Sequence, residues 1–256
     1  CSVNPFALRE GSKRPLMVNG AGRVVAIVGA GPAGMEAAVT LKQRGFDVVV
    51  FDKRDEIGGN LHVAKKPPFK GKFEWAIDYY KSMAKKLNIT MKLGKEVTAQ
   101  EVLALKPYSI LVATGSNVIS IPLEGLDQVQ TVQAHDVLVN DMQFANKKVV
   151  VIGGGITGLE TALYINRQGT NQVSVVDMLP EWPVDMLDMR YQNEALLEVR
   201  HCNDQGVALF YNNKVVKFAD GKLFIESTKD GEVKELPADV IVPVSYTHLR
   251  AHETRG

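Results

Sequence analysis

Two glycine-rich segments of one spacing stand out in the chain, each followed by a carboxylate at nearly the same remove. The first is Gly29-Ala-Gly31-Pro-Ala-Gly34 with Asp52, and the second is Gly153-Gly-Gly155-Ile-Thr-Gly158 with Asp177. Glycines in this pattern serve geometry. The first lets the chain turn sharply out of a strand, the second lets backbone approach a pyrophosphate, and the third lets a helix pack closely on a sheet. A helix that starts there aims its free N–H groups and positive dipole end at the phosphates. An acid at the end of the next strand accepts hydrogen bonds from both hydroxyls of an adenosine ribose. Two such sites in one chain point to two dinucleotides and to electron transfer between them.

The elements needed to hold these residues are legible around them. Val24-Val-Ala-Ile-Val28 and Val149-Val-Val-Ile152 are β-branched runs suited to buried parallel strands, and a helical pattern follows each glycine turn. The expected order for the first domain is strand, helix at about 32–44, strand at 47–52, and a loop holding Gly58-Gly59 and Pro67-Pro68. A helix over 73–87, short strands near 89–98 and a strand at 109–113 complete it. The second domain is expected to run from a strand at 148–152 through a helix at 156–168 and a strand at 172–177 to a helix near 190–204. The β-rich segments at 207–211, 215–218 and 223–226 then follow, with Asp220-Gly221 and Asp230-Gly231 as hairpin turns. The fold class is α/β with two Rossmann-like domains. Residues 1–20 read as a linker, 21–142 as the first domain, 143–242 as the second and 243–256 as a non-native tail.

Bulk properties agree. A chain of 256 residues with 45% hydrophobic content has room for about two domains, each with its own core. Thirty basic and 29 acidic residues leave a net charge of +1, with no basic stripe for nucleic acid or a membrane surface. No apolar run approaches the roughly 18 residues of a membrane helix. The N-terminus lacks the apolar stretch of a secretory signal. Two cysteines argue against a disulfide framework and fit a reducing cytoplasm. The partner expected is a small-molecule substrate.

The marks between the two turns identify the first dinucleotide by resemblance. Ile57-Gly58-Gly59-Asn60-Leu61 follows Asp52, and Ile110-Leu-Val-Ala113-Thr114-Gly115 ends an apolar run. Glycine turn, acid, Gly-Gly and Ala-Thr-Gly in this order resemble the FAD domain of two-dinucleotide flavin reductases, which an NAD(P) domain interrupts. The resemblance implies FAD contacts at Gly29, Gly31, Pro32, Ala33, Gly34, Asp52, Lys53, Gly59, Asn60, Leu61, Val97, Ala113, Thr114 and Gly115. It implies a nicotinamide dinucleotide at Gly153, Gly155, Ile156, Thr157, Gly158 and Asp177. A carboxylate at Asp177 would repel the 2′-phosphate of NADPH, and Met178-Leu179-Pro180 supplies no arginine clamp, so NADH is favoured. The alternative is that Asp177 only closes the strand end. Hydride transfer between these cofactors needs no protein acid or base, so no catalytic side chain is assigned.

The front end narrows the resemblance. Cys1-Ser-Val-Asn-Pro5 with Arg9-Glu10, and Lys66-Pro67-Pro68-Phe69-Lys70-Gly71, are similar to the iron–sulfur old yellow enzyme group. That group includes the 2,4-dienoyl-CoA reductases, clostridial enoate reductases and trimethylamine dehydrogenase. In it an FMN-binding barrel, a [4Fe–4S] cluster and an FAD/NAD(P)H module follow one another. Cys1 matches the last cluster cysteine, and the other three ligands would come from sequence upstream, making this chain a fragment at its front. Cys202 sits in a helical pattern and reads as a core residue. Val244-Ser-Tyr-Thr-His-Leu-Arg-Ala-His-Glu-Thr254 resembles a translated sequencing adapter. His248 and His252 are therefore left out of any site, and the FAD domain is expected to lack its final Gly-Asp contact and closing strand.

Three functions compete on these residues. The first is the NADH-oxidising half of an iron–sulfur flavoenzyme acting on an enoate or enoyl thioester. A thioredoxin reductase-like disulfide reductase needs a Cys-x-x-Cys pair that this sequence lacks. A nucleotide-binding scaffold holding ADP structurally, as trimethylamine dehydrogenase does, stays open.

Overall fold

A computed structural model describes residue 7 and residues 16–116, 122–180 and 189–244. The chain divides into two compact units. One holds the residues up to Lys65 together with Phe69–Gly115, and the other holds Lys66–Pro68 and everything from Ser116.

The first unit runs β1 (Val24–Val28), α1 (Pro32–Gln43), β2 (Asp47–Phe51), α2 (Leu61–Ala64), α3 (Glu74–Lys86), β3 (Thr90–Lys92), α4 (Ala99–Leu103) and β4 (Ser109–Val112). Its four strands form a parallel sheet in the order β3-β2-β1-β4. Alternate residues of a strand face opposite ways, so β1 and β2 each feed two cores. Val25, Ile27, Val48 and Val50 pack with Met35, Ala38 and Val39 of α1, backed by Tyr80 and Met83 of α3. Ala26 and Phe51 pack on the other face with Val102 of α4. Burial on both faces explains why these strands read as unbroken apolar runs. The expected strands near 89–98 reduce to β3, because Thr98 caps α4 with a complete capping box: its side chain accepts from the Glu101 N–H, and the Glu101 carboxylate accepts from the Thr98 N–H.

The second unit runs β5 (Gln130–Thr131), α5 (Ala134–Val139), β6 (Lys148–Ile152), α6 (Ile156–Asn166), β7 (Gln172–Val176), α7 (Met189–Asp204) and β8 (Ala208–Phe210). Then come β9 (Asn213–Ala219), β10 (Lys222–Ser227), β11 (Val233–Pro237) and β12 (Val240–Pro243). A five-stranded parallel sheet has the order β5-β12-β6-β7-β8, and β9, β10 and β11 make an antiparallel sheet. Val149, Val151, Val173 and Val175 bury against Leu159, Leu163 and Ile165 of α6 and Val199 and Cys202 of α7. Val150 and Ile241 face Phe218, Leu223 and Ile225 of the antiparallel sheet. The β9–β10 hairpin turns at Asp220 and Gly221, both at positive φ, as the sequence led one to expect.

Two expected boundaries move. The first domain was read as reaching residue 142, yet β5 pairs with β12 and α5 supplies Ala134 and Val137 to the second unit's core. The first unit therefore ends at Gly115. The second was read as ending at residue 242, yet Pro243 pairs with Ile152, and the Val244 N–H donates to the Ile152 carbonyl at 2.9 Å. The rest of the expected tail, with His248 and His252, lies outside the described residues.

Candidate dinucleotide sites

In the first unit every glycine mark falls at the carboxyl ends of β1, β2 and β4. Gly29 turns at φ +111°, and a Cβ there would lie 2.2 Å from the Ala113 carbonyl oxygen. The Gly29 N–H donates to the Phe51 carbonyl, and the Ala113 N–H to the Val28 carbonyl, each at 2.7 Å. Gly31 precedes α1 in extended backbone (φ −71°, ψ −178°), and no side chain caps the helix. Pro32 and Ala33 are exposed, so the first turn opens outward. That leaves free N–H groups at a positive helix end, which suits a phosphate. A Cβ on Gly34 would sit 1.9 Å from the Gly29 carbonyl oxygen, so α1 crosses β1 at a distance only glycine permits.

The Gly-Gly pair closes the cradle. The Gly58 N–H donates to the Ala30 carbonyl at 2.8 Å. Gly59 lies at φ +52°, and a Cβ there would come 2.8 Å from the Gly31 Cα. A bare backbone surface thus joins the phosphate turn to Asn60 and to Leu61, which opens α2. Asp52 takes two backbone donors: the Ala30 N–H reaches Oδ2 at 2.6 Å and the Arg54 N–H reaches Oδ1 at 2.9 Å. Each oxygen keeps a second acceptor site for a ribose hydroxyl. Lys53 is exposed beside it, and Thr114 and Gly115 are exposed beyond Ala113. Val97 packs with Phe51 and Val102 and lines a cavity of about 510 Å³ with Lys92, Leu93 and Lys95. The residues therefore fit the pyrophosphate and adenosine of a flavin dinucleotide.

The second unit repeats the geometry of the glycine turn and its acid. Gly153 turns at φ +115°, and its N–H donates to the Val176 carbonyl at 2.8 Å. Gly155 precedes α6 at φ −68° and ψ 171°, without a side-chain cap. A Cβ on Gly158 would lie 1.8 Å from the Gly153 carbonyl oxygen. Ile156 and Thr157 form the partly open first turn, and the Thr157 carbonyl accepts from the Thr161 hydroxyl at 2.7 Å. The Gly154 N–H donates to Asp177 Oδ2 at 2.6 Å, and the Leu179 N–H to Oδ1 at 2.8 Å. Met178 and Leu179 are exposed beside the acid. Asp177 is thus a held acceptor at the ribose position. This site fits a second dinucleotide.

Both turns, one family. The model of the pyridine nucleotide-disulphide oxidoreductases matches residues 23–244. The chain belongs to that family. An NADH oxidase from Thermoanaerobacter brockii is 36% identical over 189 residues, 73% of this chain and 29% of that protein. A cinnamate reductase from Clostridium sporogenes is 35% identical over 181 residues, 70% of this chain and 26% of that one. A solved 2-naphthoyl-CoA reductase aligns with a TM-score of 0.81 at 30% identity, covering 98% of this chain and 37% of its own. The chain spans less than two-fifths of the length of each of these relatives. The likeness to the FAD/NAD(P)H module of the iron–sulfur flavoenzymes, read first from the sequence, stands on these matches.

The cysteines divide. Cys202 is fully buried, its thiol directed at the Leu159 carbonyl at 3.8 Å, and burial with Glu198 nearby pushes it up to about 12. It is a core residue. Cys1 lies outside the described residues. Among the described residues no cluster of His, Cys, Asp and Glu could hold a metal, and no helix is long and apolar enough to cross a membrane. The sequence reading missed the donors that hold the acids, at Ala30, Arg54, Gly154 and Leu179. These donors are backbone N–H groups, so no residue type marks them in the sequence.

Proposed function

We propose that this chain is the pyridine nucleotide:FAD oxidoreductase part of a longer iron–sulfur flavoenzyme. FAD belongs to the turn at Gly29–Gly34 and NADH, in preference to NADPH, to the turn at Gly153–Gly158. The nicotinamide and flavin supply the hydride and electron chemistry themselves. The chain's own residues bind and orient. The free N–H groups of α1 and α6 receive the pyrophosphates, Asp52 and Asp177 fix the riboses, and the glycines keep side chains out of the path. The observation that carries this reading is the double occurrence of a glycine turn bonded to its own acid.

Beyond this chain, the reading continues to a [4Fe–4S] cluster with Cys1 among its ligands and to FMN in a barrel. The cinnamate and 2-naphthoyl-CoA reductases support an enoate or enoyl-thioester-like substrate. The low cysteine content and balanced charge support a cytoplasmic enzyme without a nucleic-acid or membrane partner.

The Gly58-Gly59 and Ala113-Thr114-Gly115 marks, which carry the resemblance to the FAD domain, support FAD over ADP at the first site. The test is the full-length protein under anaerobic conditions. FAD should be extracted one per chain, additional to FMN, and its absorbance should bleach on NADH addition. Extraction of ADP in its place, with no response to NADH, would replace the reductase by the structural scaffold.

A further inference from the structure

The two turns differ at three positions, of which the one between the first two glycines also donates its N–H to the acid. The first has Ala30, fully buried; the second has Gly154. Gly154 does not need to be glycine for its backbone, since only its neighbour Gly153 takes a positive φ. It needs to be glycine for space. A Cβ there would stand 2.9 Å from Cε1 of Tyr211, 3.1 Å from Cβ of Asp177 and 3.3 Å from Asp177 Oδ2.

Tyr211 has a counterpart in the first unit. The Asp52 N–H donates to the Lys92 carbonyl, and Leu93 follows; the Asp177 N–H donates to the Phe210 carbonyl, and Tyr211 follows. A leucine therefore accompanies Ala30, and a tyrosine accompanies Gly154. The tyrosine segment is also tied to the acid by backbone. The Asn213 N–H donates to the Asp177 carbonyl and the Asn212 N–H to the Leu179 carbonyl, each at 2.9 Å. Tyr211 is itself half-buried against the core beneath the turn, so its ring has little freedom to retreat.

We infer that Tyr211 is a positioning residue for the nicotinamide dinucleotide: its ring buttresses Asp177, and Gly154 is glycine because that ring fills a methyl's place. The inference rests on reading the second turn as the nicotinamide site. It goes further in making the Gly154–Tyr211 pair, jointly, the determinant of where the ribose acceptor sits. Ala–Leu at the same two positions in the first unit is the alternative solution, so the pairs should be exchangeable only together.

A double-mutant cycle in the full-length protein tests this, with NADH affinity from fluorescence titration and Tm without added nucleotide. Gly154→Ala should weaken NADH by about tenfold or more, since overpacking pushes Asp177 or the ring aside. Tyr211→Leu should weaken it by roughly threefold or more, as the acid loses its support, while Tyr211→Phe should bind like wild type. Combining Gly154→Ala with Tyr211→Leu should bind several-fold tighter than Gly154→Ala alone and recover Tm. Should Gly154→Ala alone fail to fold, recovery of a folded chain by the second change gives the same support. Additive losses, a Gly154→Ala chain that binds like wild type, or an unaltered Tyr211→Leu chain would each overturn the pairing. A wild-type chain that takes up no NADH would overturn the nicotinamide assignment instead; coupling in Tm would still report on the packing, so the two failures are distinguishable.

Discussion

At the scale of single residues, the proposed function rests on two carboxylates, each held by two backbone donors. Replacing Asp177 by alanine removes a charged acceptor whose hydrogen bonds contribute about 1.5–3 kcal/mol apiece. NADH should weaken by roughly tenfold or more while NADPH changes little, because the 2′-phosphate never gained from this acid. Isothermal titration with both nucleotides measures it, and an unchanged preference would remove Asp177 as the selector. Asp52→Ala should show the converse pattern, losing FAD and sparing NADH. Gly59→Ala belongs to the same test, for its Cβ would stand 2.8 Å from the Gly31 Cα and force the cradle open. FAD content should fall with NADH affinity intact.

Cys202 shows a residue whose chemistry is silenced by its surroundings. Its thiol is pushed up to about 12, against an ordinary 9. Since the thiolate is the nucleophile, native Cys202 should alkylate about a thousandfold slower than a free thiol at pH 8. Mass spectrometry after iodoacetamide should find it unmodified until denaturant is added, and rapid native labelling would contradict the burial.

At the scale of elements, α1 and α3 meet through Tyr80, whose hydroxyl donates to Glu36 at 3.3 Å. Burial, then the Glu36 carboxylate, pushes that phenol up to about 12 from an ordinary 10. The unfolded chain releases this proton first, so the group's stabilisation is complete below pH 10 and drains away as pH rises to 12. Tyr80→Phe removes the linkage. The Tm difference between the two proteins should narrow from pH 9 to pH 12, and a difference independent of pH would show that the pair carries no linkage.

The elements also show what a sequence can reveal. β1, β6, α1, α6 and both acids were legible because each is a local pattern: a β-branched run, a fixed glycine spacing, a carboxylate at a strand end. β5 is two residues long and exists only because β12 lies beside it. No window of sequence around Gln130 encodes that. α5 is not legible locally because Ala134 and Val137 are buried by a core assembled mainly from later strands and helices. The Gly154–Tyr211 contact spans a similar gap. Non-local contacts such as these decide that residues 116–142 join the second unit.

Across the whole molecule, one strand position is solved in two ways. β12 in the second unit and β4 in the first each follow the same logic, pairing with the glycine-turn strand and ending against its first glycine. β12 has β5 on its other side and is buried throughout. β4 has only β1 among the described residues, and all four of its residues are exposed, Val112 at 71%. An edge strand opened to water on both faces frays at low free-energy cost, whereas a central buried strand opens only with its whole unit. Amides of Ile110 to Val112 should therefore exchange with solvent at least about a hundredfold faster than those of Ile241 and Val242 in hydrogen-exchange mass spectrometry. Because Ala113 sits directly beyond β4 and against Gly29, such fraying would reach the first glycine turn, the proposed flavin site. FAD added to the chain should slow exchange along β4, and NADH should leave it unchanged. If β4 is as protected as β12 before any nucleotide is added, this edge is already rigid, and fraying there is ruled out.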